Sequence, residues 1–505
     1  RAHPIPLKGP FISLPAQDAP CFGRGDFTHA LKDRIGNLWS TVFEAATRPL
    51  GCVFDQFITG QIERAEFCRH GAVSQCQSFK DVTSVRTILL CNICCWRVQG
   101  RGWVPLRRGG GFDRQRLGHD LQLSKRPNRH AREDPMKITD VRAIVLRLPE
   151  VTDACDGTQD TCLIRIDTDE GVTGWGEVDS CPTVVRAIIE APLSHQICNG
   201  IANALVGQDP LALEVCTQRI DEATNYYGRV GAGAHAAAGI NLALWDIAGK
   251  AHGQPVYRLL GGPVQTRFRA YCSVLFGDTP AETYEIGRRF ADQGFTAVKF
   301  GWGPMGQNEA QDIELIREAR RGVGDDVDVL IDAGQVWDWK TALKRAHQFS
   351  EFSPFWLEEP LHPQDVAGYA NLTAESPLPI ATGEAESHVE DFERLIVEGG
   401  LDWIQPDPGR CGISNFVDAA RIAHRHHRKV VNHSFKSGIT IAASLHALAA
   451  CPRAEIFEFC MSDSPLRHDL THERFEIKDG HVHVPEGPGL GVTINDETIA
   501  KYRIA

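Results

Sequence analysis

Seven polar residues follow short apolar segments at a nearly constant spacing in the second half of the chain. Each segment is typical of a buried strand, as in PFWLE before Glu358 and KVVNHS around His433. The seven residues are Lys299, Asp332, Glu358, Glu384, Asp407, His433 and Glu458. From Asp332 onward the gaps between them are 26, 26, 23, 26 and 25 residues. Because each gap suits one strand and one helix, we expect the seven side chains to converge on one polar ring.

Three members of this ring supply carboxylates from adjacent predicted strands: Asp332, Glu358 and Glu384. Converging carboxylates repel one another and raise one another's pKa unless a cation joins them. Ligation by oxygen alone favours Mg²⁺ over zinc, which prefers His and Cys. The spacing therefore predicts a Mg²⁺ site at these three residues. Glu359 is expected to lie outside it, held by hydrogen bonds or by a neighbouring base.

The other four members suit proton transfer. Asp407 and His433 end consecutive strands, and a carboxylate bonded to one imidazole nitrogen raises the basicity of the other. His433 is thus predicted to remove a proton next to a substrate carboxylate. Lys299 is predicted to stabilise the resulting enediolate together with the metal. Glu458, if protonated, is expected to donate to the substrate carboxylate.

These residues meet only if the chain forms a closed parallel sheet. Eight short apolar runs, from FRAYCSV to AEIFEF, follow Arg267 and mostly alternate with amphipathic helical stretches. This pattern predicts a (β/α)8-type barrel with its site at the carboxyl ends of the strands. Before the barrel, KITDVRAIVLRL, TCLIRIDTDEG and VTGWGEV predict three antiparallel strands. Residues 234–253 predict a helix that ends at Gly253, and the GAGAHA within it lacks the strand that a dinucleotide loop requires.

Several motifs occur together in a fixed order: ALWDIAGKAHGQPVYRLLGG, WLEEPL, IATGE, IQPD, VNHS and PGLGV. Through them, residues 136–505 resemble the enolase superfamily, in its mandelate racemase and muconate lactonizing enzyme branch. The resemblance implies an α/β fold, a (β/α)7β TIM-type barrel with an N-terminal α+β capping domain. The expected divisions are the capping domain at 136–265, the barrel at 266–465 and a C-terminal segment at 466–505 that returns to the cap.

The resemblance also implies how the site works. Mg²⁺ would lie at the three carboxylates, and His433 and Asp407 would form the dyad. Cap loops near Asp156–Asp160 and Tyr226–Arg229 would contact the distal part of a small carboxylate substrate. Members of the branch are commonly homo-oligomers, so self-association is expected.

One departure from the branch concerns the reaction. Racemases usually carry Lys-x-Lys on the second barrel strand, whereas this chain has Lys299 followed by Gly301 in VKFGWGP. This stretch resembles acid-sugar dehydratases related to L-rhamnonate dehydratase. Dehydration needs one residue as base and then acid, so we expect a Mg²⁺-dependent dehydratase of an aldonate or aldarate that gives a 2-keto-3-deoxy acid. The alternative is a racemase, epimerase or cycloisomerase with Lys299 as second base.

A second departure is Asp332-Ala-Gly334, where many relatives have Asp-x-Asn. The asparagine supplies a contact beside the metal ligand in those relatives. Gly334 cannot supply that side-chain contact, but the role predicted for Asp332 as a metal ligand is unchanged.

The first 135 residues differ in composition from the rest. They hold 20 Lys and Arg against 12 Asp and Glu, and seven of the 16 cysteines, although the whole chain has a net charge of −12. Three interpretations remain open for 1–135: a basic arm that binds nucleic acid, a small zinc module without paired CxxC spacing, or an over-extended start before Met136. We favour the last, and therefore expect no nucleic-acid partner.

Composition also bounds the location of the protein. Hydrophobic residues make up 42% and charged residues 23% of the chain, as in ordinary globular enzymes. No apolar run approaches the length of a membrane span, and the N-terminus lacks the apolar region of a secretory signal. The sequence therefore predicts a cytoplasmic protein without a membrane partner.

Overall fold

The computed structural model describes residues 135–504. The basic segment 1–135 lies outside the described residues apart from Pro135, so the structure does not bear on its predicted zinc, nucleic-acid or over-extended-start interpretations. Within 135–504, no helix combines the length and the apolar character needed to cross a membrane. The exact domain boundaries remain predictions.

The chain begins with a three-stranded antiparallel sheet in the order β1-β2-β3. Its strands are β1 (Ile138–Arg147), β2 (Asp160–Thr168) and β3 (Thr173–Val178). Alternate side chains point to one face of a strand, and here Val141, Ala143 and Val145 of β1 join Ile164 and Ile166 of β2 in a buried core. The three predicted strands are thus confirmed.

Five helices follow: α1 (Pro182–Glu190), α2 (Ile201–Leu205), α3 (Leu213–Thr224), α4 (Ala232–His252) and α5 (Val256–Leu259). Helix α4 packs directly on β3, since a Cβ at Gly176 would lie only 2.0 Å from the backbone oxygen of Gly239. The helix ends at Gly253, whose left-handed φ of 61° suits a residue without a Cβ. The helix predicted at 234–253 is confirmed.

The rest of the chain forms a curled sheet of eight parallel strands. They are β4 (Arg267–Leu275), β5 (Ala297–Gly301), β6 (Asp328–Asp332), β7 (Leu357–Glu358), β8 (Ile380–Thr382), β9 (Trp403–Ile404), β10 (Lys429–Val430) and β11 (Ile456–Cys460). Neighbours in the chain are neighbours in the sheet, and β11 also pairs with β4. A parallel bridge between Val430 and Ala454 joins the remaining two edges. The sheet therefore closes as a TIM-type barrel.

One helix follows each of the first seven barrel strands, which is the predicted (β/α)7β order. These helices are α6 (Pro280–Asp292), α7 (Glu309–Val323), α8 (Trp339–Phe349), α9 (Val366–Glu375), α10 (Val389–Val397), α11 (Pro408–Arg425) and α12 (Gly438–Ala449). Several begin at side chains that accept a backbone N–H, such as Thr279 before α6 and Asp338 before α8. Their apolar faces share one core with the outward faces of the strands.

Inside the barrel, one residue in or directly next to each strand joins a single buried apolar layer. The eight residues are Tyr271, Ala297, Leu330, Trp356, Ala381, Trp403, Val431 and Ile456. A barrel of this size is filled by such side chains rather than left open. The layer therefore forms a floor beneath the mouth of the barrel.

The C-terminal segment returns to the first sheet, as expected. Its elements are α13 (Pro465–His468), β12 (His481–His483) and α14 (Asp496–Tyr502). Strand β12 pairs antiparallel with the start of β4. After α14, Arg503 forms an antiparallel bridge with Leu146, and the Ile504 N–H donates to the Val145 carbonyl at 3.0 Å. The last residues thus tie the barrel to β1.

Candidate active site

The strand pleat places the polar ring directly above the apolar floor. Residues two apart in a strand point to the same side, and five ring residues follow a floor residue by two: Lys299, Asp332, Glu358, His433 and Glu458. Glu384 and Asp407 follow theirs by three and four residues, across the irregular ends of β8 and β9. All seven lie buried at the carboxyl end of the barrel.

Asp332, Glu358 and Glu384 form a compact carboxylate cluster. One oxygen from each lies within 4.8 Å of the others, and all three residues are buried. Burial and the neighbouring carboxylates raise the pKa of Asp332 well above its ordinary value. Oε2 of Glu384 is buried without a hydrogen-bond partner among the described residues. Three oxygen donors under mutual repulsion, one of them unpartnered, fit a divalent cation such as Mg²⁺.

Lys299 is bound by two members of the ring. Its Nζ lies 2.5 Å from Oε1 of Glu358 and 2.6 Å from Oε1 of Glu458. Glu358 also accepts a hydrogen bond of 2.8 Å from Nε1 of Trp356. Burial alone lowers the pKa of Lys299, but Glu358 and Glu458 raise it well above its ordinary value. The two carboxylates therefore favour the charged ammonium form of Lys299.

His433 and Asp407 are directly bonded. Nδ1 of His433 lies 2.6 Å from Oδ2 of Asp407, whose Oδ1 accepts the backbone N–H of Gly409 at 2.6 Å. This fixes the imidazole with Nε2 on the side of the carboxylate cluster, 3.5 Å from Oε1 of Glu384. Burial lowers the pKa of His433, but Glu384, Glu458 and Asp407 raise it to about 10. These three carboxylates therefore favour the protonated imidazole.

The surroundings of Glu458 do not favour its expected role as a hydrogen-bond donor to the substrate carboxylate. Burial raises the pKa of its carboxyl, but Lys299 and His433 lower it to about 2. Its Oε2 also accepts the backbone N–H of Ser434 at 2.8 Å. These contacts favour an ionised carboxylate that pairs with Lys299 and accepts hydrogen bonds rather than donating one.

A cavity of about 350 Å³ opens above the ring. Lys299, Asp332, Glu384 and His433 line its floor. The connection between β1 and β2 contributes Asp156 and Gly157, as expected for a cap loop. The loop Tyr226–Arg229 does not line this cavity, contrary to expectation. Gly228 and Arg229 instead line a separate, larger cavity of about 740 Å³ beside α3 and α4, which contains none of the seven ring residues.

Three ionic residues outside the predicted set also reach the site. Nη2 of Arg410 lies 2.9 Å from Oδ2 of Asp179, and its Nη1 lies 3.4 Å from Oε1 of Glu384. Nζ of Lys436 lies 3.5 Å from Oδ1 of Asp179 and donates to the Asp160 carbonyl at 2.9 Å. The sequence positions of these three residues gave only a weak indication that they belong to the site. Asp179 directly follows β3, and the two cations each lie three residues after a dyad member.

The backbone at the rim of the site is conformationally restricted. Trp302, Gln335 and Glu359 follow β5, β6 and β7 with φ angles of 57°, 65° and 40°. Such left-handed conformations cost on the order of 1–3 kcal/mol for residues other than glycine. Side-chain contacts hold two of the three, since Gln335 donates to Oε2 of Glu359 at 2.8 Å and Thr382 donates to Oε1 of Glu359 at 3.3 Å. Glu359 is therefore held by hydrogen bonds, as expected.

Gly301 has a steric role that affects Asp332. A Cβ at Gly301 would lie 2.9 Å from Oδ2 of Asp332 and 3.0 Å from its Cβ. We expect Gly301→Ala to displace this carboxylate and to weaken Mg²⁺ binding roughly tenfold or more, measured by calorimetric titration. Ser273→Ala, which adds no atom to the cavity, should bind Mg²⁺ as the unaltered chain does. Equal affinity in Gly301→Ala would contradict Asp332 as a ligand.

Lys299 should also stabilise the folded protein. In Lys299→Met, Glu358 and Glu458 lose their buried counterion, so we expect the free energy of unfolding to fall by about 3–5 kcal/mol in urea titrations. Lys429→Met is the control, because Lys429 pairs with Glu455 at the same 2.6 Å but at the surface. There the loss should stay below about 1 kcal/mol. Similar losses in the two variants would contradict the assigned pairing.

Two family models match the described part of the chain. Residues 142–261 match the mandelate racemase/muconate lactonizing enzyme N-terminal domain, and residues 283–498 match the enolase C-terminal domain-like model. The two matches follow the order of the first sheet and the barrel.

Individual relatives agree with this assignment. D-galactarolactone cycloisomerase from Agrobacterium fabrum is 30% identical over 73% of this chain and 99% of its own length. D-galactonate dehydratase from Pectobacterium atrosepticum is 31% identical over 66% of this chain and 89% of its own. The crystal structure of a predicted mandelate racemase from Rhodobacter sphaeroides is 33% identical, covers 73% of this chain and 96% of its own, and superposes with a TM-score of 0.69. The chain therefore belongs to the enolase superfamily, in its mandelate racemase and muconate lactonizing enzyme branch.

Proposed function

We propose that the chain is a Mg²⁺-dependent dehydratase of a sugar acid, an aldonate or aldarate, and that it yields a 2-keto-3-deoxy acid. The observation that carries this proposal is the single available base. His433 faces the carboxylate cluster, whereas Lys299 is bound by Glu358 and Glu458. A racemase needs a base on each side of the carbon, and the dehydratase needs only one.

The proposed cation site consists of Asp332, Glu358 and Glu384. When bound, Mg²⁺ would offset their charge and stabilise the negative oxygens of an enediolate. The pKa of His433, about 10 beside unneutralised carboxylates, falls when the charge of Glu384 is offset. His433 then becomes a neutral base, with Asp407 holding the proton on Nδ1.

In the proposed reaction, Nε2 of His433 accepts the proton from carbon 2, and the C–H electron pair forms the enediolate. The protonated imidazole then donates that proton to the hydroxyl on carbon 3. The C–O bond breaks, water leaves, and the resulting enol takes up a proton at carbon 3 to give the 2-keto-3-deoxy acid. Lys299 supports this sequence as a fixed positive charge rather than as a base.

An isomerase on the same site is the second candidate. The relative from Agrobacterium fabrum that bears the name cycloisomerase matches this chain at 30% identity. A cycloisomerase also needs only one base. The pairing of Lys299 with two carboxylates therefore counts against racemisation and epimerisation, but not against isomerisation of a lactone.

Product analysis separates these candidates. The full chain with Mg²⁺ is incubated with a panel of six- and five-carbon sugar acids and their lactones, and products are identified by NMR. We expect a 2-keto-3-deoxy acid from one or a few acids. A 2-keto-3-deoxy acid formed from a lactone, of which it is an isomer, with no keto product from any free acid, would favour the cycloisomerase and overturn the dehydratase.

A further inference from the structure

Both permanent cations that line the catalytic cavity are already neutralised by carboxylates. Lys299 is held between Glu358 and Glu458, with contacts of 2.5 and 2.6 Å. Arg410 contacts Asp179 at 2.9 Å. Among the described residues that line the cavity, no other lysine or arginine is present. A substrate carboxylate away from the metal site would therefore find no free counterion.

Two carboxylates lie on the cap side of the cavity. Asp156 and Asp179 both line it. Burial raises the pKa of Asp179, but Arg410 and Lys436 hold it well below the ordinary range, so this carboxylate is ionised. Asp156 accepts a hydrogen bond of 2.5 Å from the hydroxyl of Ser462, which fixes it in place. Asp179 is offset by Arg410 and Lys436, whereas Asp156 forms no ion pair with another described residue, so the Asp156 carboxylate suits substrate hydroxyls and repels a second carboxylate.

An apolar wall completes the cavity. Val274, Leu275, Trp302 and Phe435 line it. Gly334 makes room for the indole, because a Cβ at Gly334 would lie 3.1 Å from Cδ2 and Cε3 of Trp302. The absent side chain in Asp332-Ala-Gly334 and the large side chain at Trp302 are thus one matched arrangement.

We infer that the substrate is a monocarboxylic sugar acid, an aldonate rather than an aldarate, whose uncharged end lies against Trp302. This inference rests on the proposed function and narrows it. The single substrate carboxylate belongs at the metal cluster. The hydroxyls face the carboxylates of the cap side, and the carbon chain packs on the indole.

Matched substrate pairs test the inference. D-galactonate and galactarate share their configuration at carbons 2–5 and differ only in the last carbon, which is a hydroxymethyl group or a carboxylate. With the full chain, Mg²⁺ and constant ionic strength, kcat/KM is measured for every six-carbon aldonate and its matching aldarate. We expect the best aldonate to exceed its aldarate at least tenfold. A preferred aldarate overturns the inference but leaves the dehydratase standing, whereas dehydration of no acid overturns both.

A double-mutant cycle tests whether the substrate packs against the apolar wall at Trp302. Trp302→Ala should raise KM for the best aldonate about tenfold and narrow the aldonate-to-aldarate ratio. Gly334→Asn should do the same, because asparagine tolerates a left-handed φ but its Cβ collides with the indole. The double variant should be no worse than Trp302→Ala alone, since the collision is then gone. If the increases in KM multiply in the double variant, or if the aldonate-to-aldarate ratio stays unchanged in Trp302→Ala, the role inferred for Trp302 is wrong.

Discussion

Replacing His433 with asparagine is expected to lower kcat for dehydration by at least about a thousandfold. General acid–base catalysis contributes on the order of 10²–10⁴ in rate, and His433 is proposed to act in two proton transfers of one turnover. Asparagine is close in shape and can still donate a hydrogen bond to Asp407, so the fold and the carboxylate cluster should persist. Initial rates of keto-acid formation measure the effect.

The matched control is His424→Asn, an exposed histidine near the end of α11, which should retain full activity. Mg²⁺ titration of His433→Asn should show that its cation site remains. If His433→Asn dehydrates the substrate at more than a tenth of the original rate while binding Mg²⁺ normally, then another group is the base and the proposed mechanism is wrong.

Glu384→Gln is expected to produce the second large effect, on Mg²⁺ binding. The substitution removes the charge of a carboxylate whose Oε2 has no hydrogen-bond partner among the described residues. We expect Mg²⁺ affinity to fall at least about tenfold and activity to fall with it. The unaltered protein should lose activity in EDTA and regain it with Mg²⁺. Calorimetric titration measures the affinity.

Thermal unfolding provides a second readout that does not depend on turnover. A ligand at about 100 times its Kd stabilises the folded state by roughly 2.7 kcal/mol, so Mg²⁺ should raise the Tm of the unaltered protein. Glu384→Gln should lose this rise, and Glu386→Gln, a partly buried neighbour outside the cluster, should keep it. An equal rise in all three proteins would place the cation elsewhere.

The sequence predicted the barrel and the first sheet because both depend on local periodicity. Strand pleating has a period of two, so an apolar floor residue such as Val431 predicts that His433, two residues later, also points into the barrel. The repeat of about 26 residues then placed the strand ends at one mouth. The family assignment and the (β/α)7β order are confirmed, whereas self-association and a cytoplasmic location remain predictions.

Side-chain pairing within the site was less accessible. Lys299 and Glu458 lie 159 positions apart, and their contact exists only because β4 brings β5 and β11 to its two sides. For the same reason, the ionisation of Glu458 could not be read from its own strand. Asp179 and Lys436 lie outside the repeat of strand ends, so only their closeness to β3 and to His433 in the sequence indicated them, and weakly.

Proton NMR in D₂O tests the central claim, a single base at His433, most directly. The full chain with Mg²⁺ acts on its best sugar acid, and both product and unreacted substrate are recovered. We predict a 2-keto-3-deoxy acid with one deuterium at carbon 3, and no recovered substrate of inverted configuration at carbon 2. Recovery of the carbon-2 epimer carrying deuterium would show a second base on the opposite side of the carbon and would contradict the account.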